Sequence, residues 1–441
     1  MKPVKLLLLF VSIFCFYSCE SAMNKSEQSE IDIESDEMSI SESSVDAVLS
    51  FVKDAYPQKY KTLSLTKETL KIEYVTNVSY EKNRFFAPSA DNASRELDTL
   101  LCVINFGNDE GFAIISTQDN QILAVTESGD LSVEDLTMEY TNDDFENNPK
   151  AVISNYVANY MSSLPTIPVG PIGPTIPPGG PVVPDDSIDM GYAVRGPWIT
   201  ETQIDPLVQM KLHQGEPYNK YCLNSDGETI FAGCAAIAVI QIMSVNKYPN
   251  TIGNLPANWN NIINQYQTNS LVEDTLARLI RTIGGECDIQ YLSDSTGTSI
   301  IKVKNCLSLY PRYTNLRIIT TPQYEDIYPM LQNEMPLYFR GITTKPNNSG
   351  RVGHAWVIDG CIYQVQSLKL YNGNNELIGE ICETRDYVHC NWGWGGICDG
   401  YYITNIFNLN AGSAIPDNAD YNQPQELNFN QDLQALTYNF E

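Results

Sequence analysis

The chain has 441 residues, of which 27 are basic and 54 acidic, giving a formal net charge of −27. That excess of carboxylates argues against nucleic acid as a partner, because nucleic-acid binding needs a basic face. A hydrophobic content of 43% supports ordinary globular cores, and the length allows two or three domains at ~150 residues each.

At the N-terminus Lys2 and Lys5 precede the apolar run Leu6 to Phe16, which is too short to cross a bilayer. Residues 1–19 therefore read as an export signal. Ser18-Cys19 resembles a lipoprotein-type cleavage site, which would place a lipid on Cys19; an ordinary secretory signal cut nearby is the alternative. The expected location is outside the cytoplasm, either secreted or in a bacterial envelope as an outer-membrane lipoprotein. The lipid would be the only membrane contact. Residues 20–45, rich in Ser, Glu and Asp, read as a disordered tether.

Residues 46–163 suggest a small α+β domain. Val45, Val48, Leu49 and Val52 have helical spacing, and Leu70 to Val75 alternates like a strand. Leu100 to Phe106 and Gly111 to Ser116 flank a turn, and Ile122 to Thr126 is a third candidate strand. Prolines recur from Pro165 to Pro184, so residues 164–189 read as an extended, semi-rigid linker. Residues 190–441 form the larger part. Helices are predicted over Cys234 to Val245 and Leu271 to Ile283. Strands follow at 316–319, 336–340, 355–359, 367–371, 387–390 and 401–403. Helices first and antiparallel strands afterwards predict a second α+β domain with its site between the two halves.

Of the 11 cysteines, Cys15 would leave with the signal and Cys19 would carry the lipid. An oxidising compartment permits disulfides among the rest, but the pairing is not readable from sequence. Without a C-x-x-C pair, and with 3 histidines, a structural zinc site is not expected. No cofactor is expected either.

Three motifs carry chemistry. Gly233-Cys234-Ala235-Ala236 opens an apolar helix, so Cys234 sits where a helix dipole favours thiolate. A free thiol with a pKa of ~8.5 is otherwise mostly protonated at neutral pH. Gly353-His354 precedes the apolar strand Ala355 to Ile358, and an imidazole there could form an ion pair with Cys234 and protonate a leaving amine. Asn391-Trp392-Gly393-Trp394 supplies a carboxamide to orient the imidazole and an indole to shield that contact. The Cys234 N–H and the Gln214 side chain are candidate oxyanion donors. Taken singly, each motif also has a structural reading: a buried thiol, a core histidine, a tight aromatic turn.

Together these pieces resemble the streptopain family of bacterial cysteine peptidases. The matching segments are 214–222, 233–243 with Tyr248-Pro249, 276–281, 353–360, and 391–396 with Asp399 to Tyr402. Leu101 to Asn105, Gly111 to Ser116, Asp119 and Ile122 to Val125 resemble that family's inhibitory propeptide. The resemblance implies a papain-like α+β protease domain (190–441) behind a propeptide domain (46–163) that blocks the site intramolecularly. It also implies cutting within 164–189, protein or peptide substrates, and a pocket for a bulky apolar residue two positions before the scissile bond. Leu212 departs from the family pattern, which usually has Trp two residues before the oxyanion Gln. A papain-like cell-wall amidase and an inactive binding protein or protease inhibitor on the same scaffold are the other readings.

Overall fold

In the computed structural model the described residues are 40–76, 80–81, 84–85, 99–117, 121–138, 148–163, 192–292, 296–344, 351–372, 374–404 and 431–441. The expected signal, Cys19, most of the expected tether and the proline-rich linker lie outside them. By contact density the chain divides into two units. One comprises 40–165, 203–362 and 386–441; the other includes 166–202 and 363–385.

The first unit opens with helices α1 (Ile40–Ala55) and α2 (Pro57–Leu63). α1 begins inside the stretch expected as a tether: its buried residues Val45, Val48, Phe51 and Val52 repeat at three- and four-residue steps, and the helix extends upstream of them. Next come β1 (Lys71–Thr76), β2 (Tyr80–Glu81), β3 (Arg84–Phe85), β4 (Thr99–Asn105), β5 (Phe112–Ser116), β6 (Gln121–Thr126), α3 (Val133–Thr137) and α4 (Pro149–Ser163). β7 (Tyr192–Ile204) is followed by α5 (Cys234–Asn246), the short hairpin β8 (Thr251–Ile252) and β9 (Leu255–Pro256), then α6 (Trp259–Gln265) and α7 (Ser270–Glu286). The remainder is β10 (Gln290–Tyr291), β11 (Thr296–Gly297), α8 (Ile300–Ser308), β12 (Tyr313–Thr320), α9 (Tyr324–Gln332), β13 (Leu337–Thr344), β14 (Arg351–Tyr371), β15 (Leu377–Asn391), β16 (Gly400–Ile403) and β17 (Gln431–Phe440).

The expected α+β class is what these elements make, but the two expected domains do not have separate sheets. One path runs β1-β4-β5-β6-β16-β15-β14-β13-β17-β12, with β7 paired to β14 off it. The join is antiparallel, with Thr126 opposite Gly400, Val125 opposite Tyr401 and Ala124 opposite Tyr402. Gly400 permits this approach. A Cβ there would lie 2.4 Å from the Val125 carbonyl oxygen and 2.5 Å from Thr126 Cα, so any side chain would push the strands apart. Phe51 packs edge-on against Tyr387 at 4.9 Å and Tyr156 lies 6.1 Å from Trp392, so α1 and α4 add apolar cover to the same junction.

α5 is buried over Ala235 to Ser244 on all sides. This is the mark of a central helix rather than a surface one. α7 is amphipathic, burying Val272, Leu276, Leu279, Ile280 and Ile283, and its first turn is capped by the Asn269 side chain, which accepts from the Leu271 N–H at 3.1 Å. Each such fully buried aliphatic side chain contributes about 1.5–3 kcal/mol. β13 and β14 pair so that Gly341 faces His354 and Phe339 faces Trp356, which fixes the register of the strand carrying the candidate histidine. In the other unit, Trp198 of β7 receives the Arg385 guanidinium at 4.1 Å, and Arg385 Nε donates to Gln364 Oε1 at 2.8 Å.

Candidate active site

Cys234 is the first residue of α5. The preceding Gly233 has φ +90°, and a Cβ there would also meet Ile289 Cδ1 at 3.1 Å. The positive φ and the packing against Ile289 both favour a residue without a Cβ there. Cys234 is half-buried, whereas Cys102, Cys222, Cys287, Cys306, Cys361, Cys390 and Cys398 are buried. None of the nine described cysteines is in a disulfide.

His354 is buried on β14. Its Nε2 lies 3.0 Å from the main-chain carbonyl oxygen of Trp392, the contact that fixes the ring. The Trp394 indole lies flat on the imidazole at 4.3 Å and 10°, closer than Trp392 or Trp356, each at 6.2 Å. Burial lowers the His354 pKa to about 4 against the small opposite effect of the Trp392 carbonyl. The ring is therefore neutral at pH 7 in this form of the protein.

Asn391 differs from the expectation. Its Oδ1 accepts from Gln241 Nε2 at 2.8 Å and from the Gly393 N–H at 3.2 Å, so the orienting oxygen at His354 comes from the next residue's backbone. Trp392 is fully buried and supplies that carbonyl as well as an indole near the imidazole. Gln214 is buried on the loop before α5; its carbonyl accepts from the Ala232 N–H at 2.9 Å. Leu212 accepts from the Gly395 N–H at 2.7 Å. These bonds bring the Gln214 loop, the approach to Cys234 and the 391–396 turn together.

A buried charge network lies behind the turn. His389 Nδ1 contacts Asp359 Oδ1 at 2.6 Å and its Nε2 contacts Glu127 Oε1 at 3.2 Å. Glu127 Oε2 pairs with Lys211 Nζ at 2.9 Å, and Lys211 reaches Asp399 Oδ2 at 3.1 Å. Asp399 Oδ1 in turn accepts from the Trp392 N–H at 2.9 Å. Burial opposes the charge on Glu127, but His389 and Lys211 outweigh it and hold the carboxyl at about 2. Burial likewise opposes protonation of His389, and Asp359 with Glu127 reverses that, raising it to about 9. Asp399 is pushed upward by burial, with Lys211 and His389 opposing. His389 is thus committed to carboxylates, and His213 is taken up locally, its Nδ1 accepting from the Gly215 N–H at 3.2 Å.

Residues 212–402 match the Peptidase C10 family. Streptopain of Streptococcus pyogenes is 24% identical over 332 residues, covering 64% of this chain and 72% of streptopain. This chain is a cysteine peptidase, and its residues 212–402 are those that match the family. A thiol protease/hemagglutinin, PrtT of Porphyromonas gingivalis, is also 24% identical, over 48% of this chain and 25% of that protein. A solved prointerpain A fragment from Prevotella intermedia overlays with a TM-score of 0.46 at 20% identity, covering 83% of this chain and 98% of the fragment.

The sequence reading missed Gln241, Trp394 as the ring on His354, and the Glu127, Lys211, Asp359, Asp399 network. Gln241 had a visible signal as a carboxamide in an apolar run. The network had none, because its four members come from segments far apart in sequence.

Proposed function

We propose that the chain is an exported cysteine endopeptidase zymogen in which Cys234 is the nucleophile and His354 the proton carrier. The observation that carries this reading is the convergence at one helix start. Cys234 begins α5, the Ala232 N–H beside it bonds the Gln214 carbonyl, and the turn that joins this loop through Gly395 holds His354 by the Trp392 carbonyl. In the working enzyme His354 takes the Cys234 proton, and the thiolate attacks the scissile carbonyl carbon. The oxyanion forms against the Cys234 N–H and the Gln214 carboxamide. His354 then protonates the leaving amine, and water hydrolyses the thioester with His354 as base. Asn391 and Trp392 orient the imidazole. Substrates are proteins or peptides.

Residues 46–163 are the inhibitory propeptide and residues 190–441 the papain-like peptidase. Removal by cutting within 164–189 activates the enzyme. Two contacts support a built-in hold: β6 pairs with β16, and Glu127 joins the buried charges at His389 and Lys211. Burial favours the neutral form of the His354 imidazole before activation. Residues 1–19 direct export, with Cys19 as the lipid attachment point on a bacterial outer-membrane lipoprotein.

The test is intact mass of residues 20–441 under reducing conditions, wild type beside Cys234→Ala. Loss of the N-terminal portion by wild type alone supports a self-processing peptidase and locates the cut. If an added peptidase processes both and the cut wild type still cleaves no casein, the assignment of Cys234 fails.

A further inference from the structure

The helix that carries Cys234 holds a polar side chain where an apolar one would pack at lower cost. Gln241 is fully buried on α5 among Ile237, Ala238, Ile240 and Ile242. A buried carboxamide is costly for each polar group left unbonded. The Gln241 amide is used twice: Nε2 donates to Asn391 Oδ1 at 2.8 Å and to the Met210 carbonyl at 3.2 Å. Asn391 Oδ1 also accepts from the Gly393 N–H, and the intervening Trp392 gives its carbonyl to His354 Nε2. One side chain therefore ties the nucleophile helix to the turn that holds the imidazole. It also ties that helix to the strand of chain leading into Gln214.

We propose that Gln241 is a positioning residue for the peptidase reaction, setting the Trp392 carbonyl and hence the His354 ring against the helix start that bears Cys234. The proposal rests on Cys234 and His354 being the catalytic pair. Gln241 lies on the same rigid helix as the thiol, so the Asn391 to Gly393 turn is referenced to the nucleophile and not only to its own sheet. Without the amide, Asn391 Oδ1 keeps the Gly393 N–H, but the turn loses its tie to α5 and the Trp392 carbonyl is no longer referenced to the helix that bears Cys234. A displacement of ~1 Å at the imidazole costs up to ~100-fold in rate.

The experiment compares wild type with Gln241→Met, which keeps length and volume but removes both donors. Both full chains are cut to the same N-terminus by the same added peptidase and normalised for folded fraction by thermal melting. Three quantities are read: kcat and KM on a fluorogenic peptide with a bulky apolar residue two positions before the cut, and the pH midpoint of Cys234 alkylation by iodoacetamide, followed by peptide mass. We expect kcat to fall about 10- to 100-fold, KM to stay within about twofold, and the alkylation midpoint to rise. An unchanged kcat, or a lowered kcat with an unmoved midpoint, overturns the positioning role and leaves Gln241 a packing residue. Should Gln241→Met not fold, Gln241→Leu, which also has no donor, is judged on the same readouts. If His354→Ala leaves the wild-type midpoint unmoved, the catalytic-pair reading itself fails and the positioning role falls with it, whereas a midpoint moved by His354→Ala but not by Gln241→Met overturns the role of Gln241 alone.

Discussion

Glu127 and His389 meet at 3.2 Å, and this pair ties the segment after β6, proposed above as part of the propeptide, to the buried charges beneath the 391–396 turn. The propeptide supplies the carboxylate, and β15 supplies the imidazole. Glu127 adds a third carboxylate to Asp359 and Asp399, which face the two cations His389 and Lys211. Removing the propeptide leaves two cations on two carboxylates, so the catalytic half keeps a balanced set after activation.

The pH dependence of the propeptide's hold follows from this pair. Glu127 is lowered from 4.5 to about 2, so its contribution is present above pH 4.5 and is lost as pH falls toward 2. His389 is raised from 6.5 to about 9, so its contribution is complete below pH 6.5 and is lost as pH rises through 9. The hold should therefore be strongest between pH 4.5 and 6.5. Melting temperatures of Cys234→Ala with and without Glu127→Gln, measured from pH 3 to 10, give the difference. A gap of about 2 kcal/mol that peaks in this window is expected, the scale of one charged hydrogen bond. A gap that does not vary with pH would show that Glu127 holds by shape alone.

His354 makes an independent prediction about latency. Burial lowers it to about 4 from 6.5, so as pH falls below 6.5 the neutral ring increasingly opposes the folded zymogen. NMR of the imidazole protons in Cys234→Ala can follow all 3 histidines, with His213→Gln and His389→Gln for assignment. His354 should titrate well below 6.5 in the full chain. Titration near 6.5 would mean that water already reaches the ring before activation.

Much of this was legible before the fold was known, and the failures have identifiable causes. Short apolar runs between Leu100 and Thr126, bounded by a turn, gave three strands, and the longer apolar run after Cys234 gave its helix, because run length separates buried strands from buried helices. α8 and α9 are short, and α9 contains Pro329, so neither offers the long periodic signal a helix needs. β17 pairs with both β12 and β13, strands more than 90 residues upstream in sequence, and local pattern carries no information about such partners. Cys234, His354 and Asn391-Trp392 were proposed from their motifs, and the structure places Trp392 against His354. The oxygen on the imidazole was misassigned because the motif identifies residues and not which of two neighbouring oxygens faces the ring: backbone geometry gives that place to Trp392, while Gln241 engages Asn391.

The Trp394 ring is expected to keep His354 dry. It stacks at 4.3 Å, nearly parallel, with little of its surface exposed. Trp394→Leu removes the flat cover, lets water hydrate the imidazolium, and should raise the His354 pKa toward 6.5 in the Cys234→Ala zymogen. In processed enzyme kcat should fall about tenfold, since the ring also limits imidazole motion. An unshifted His354 titration would assign the burial to Trp392 and Trp356 instead.

Gly400 tests whether the shared sheet is the main grip of the propeptide. Its missing Cβ would collide with the Val125 carbonyl and Thr126 Cα of β6. Both of those atoms depart with the propeptide, so Gly400→Ala strains only the zymogen. The methyl group forces β6 away from β16 and weakens the hydrogen bonds along that edge, at about 1–3 kcal/mol for an overpacked contact. An added peptidase should then remove the propeptide about tenfold faster, read by intact mass in the Cys234→Ala background. The processed Gly400→Ala enzyme should keep wild-type kcat/KM, because the three atoms nearest that methyl all belong to β6. Faster processing with loss of mature activity would place the damage in β16 and the turn before it. An unchanged processing rate would mean that the Glu127 network and the aromatic cover of α1 and α4 suffice to hold the propeptide.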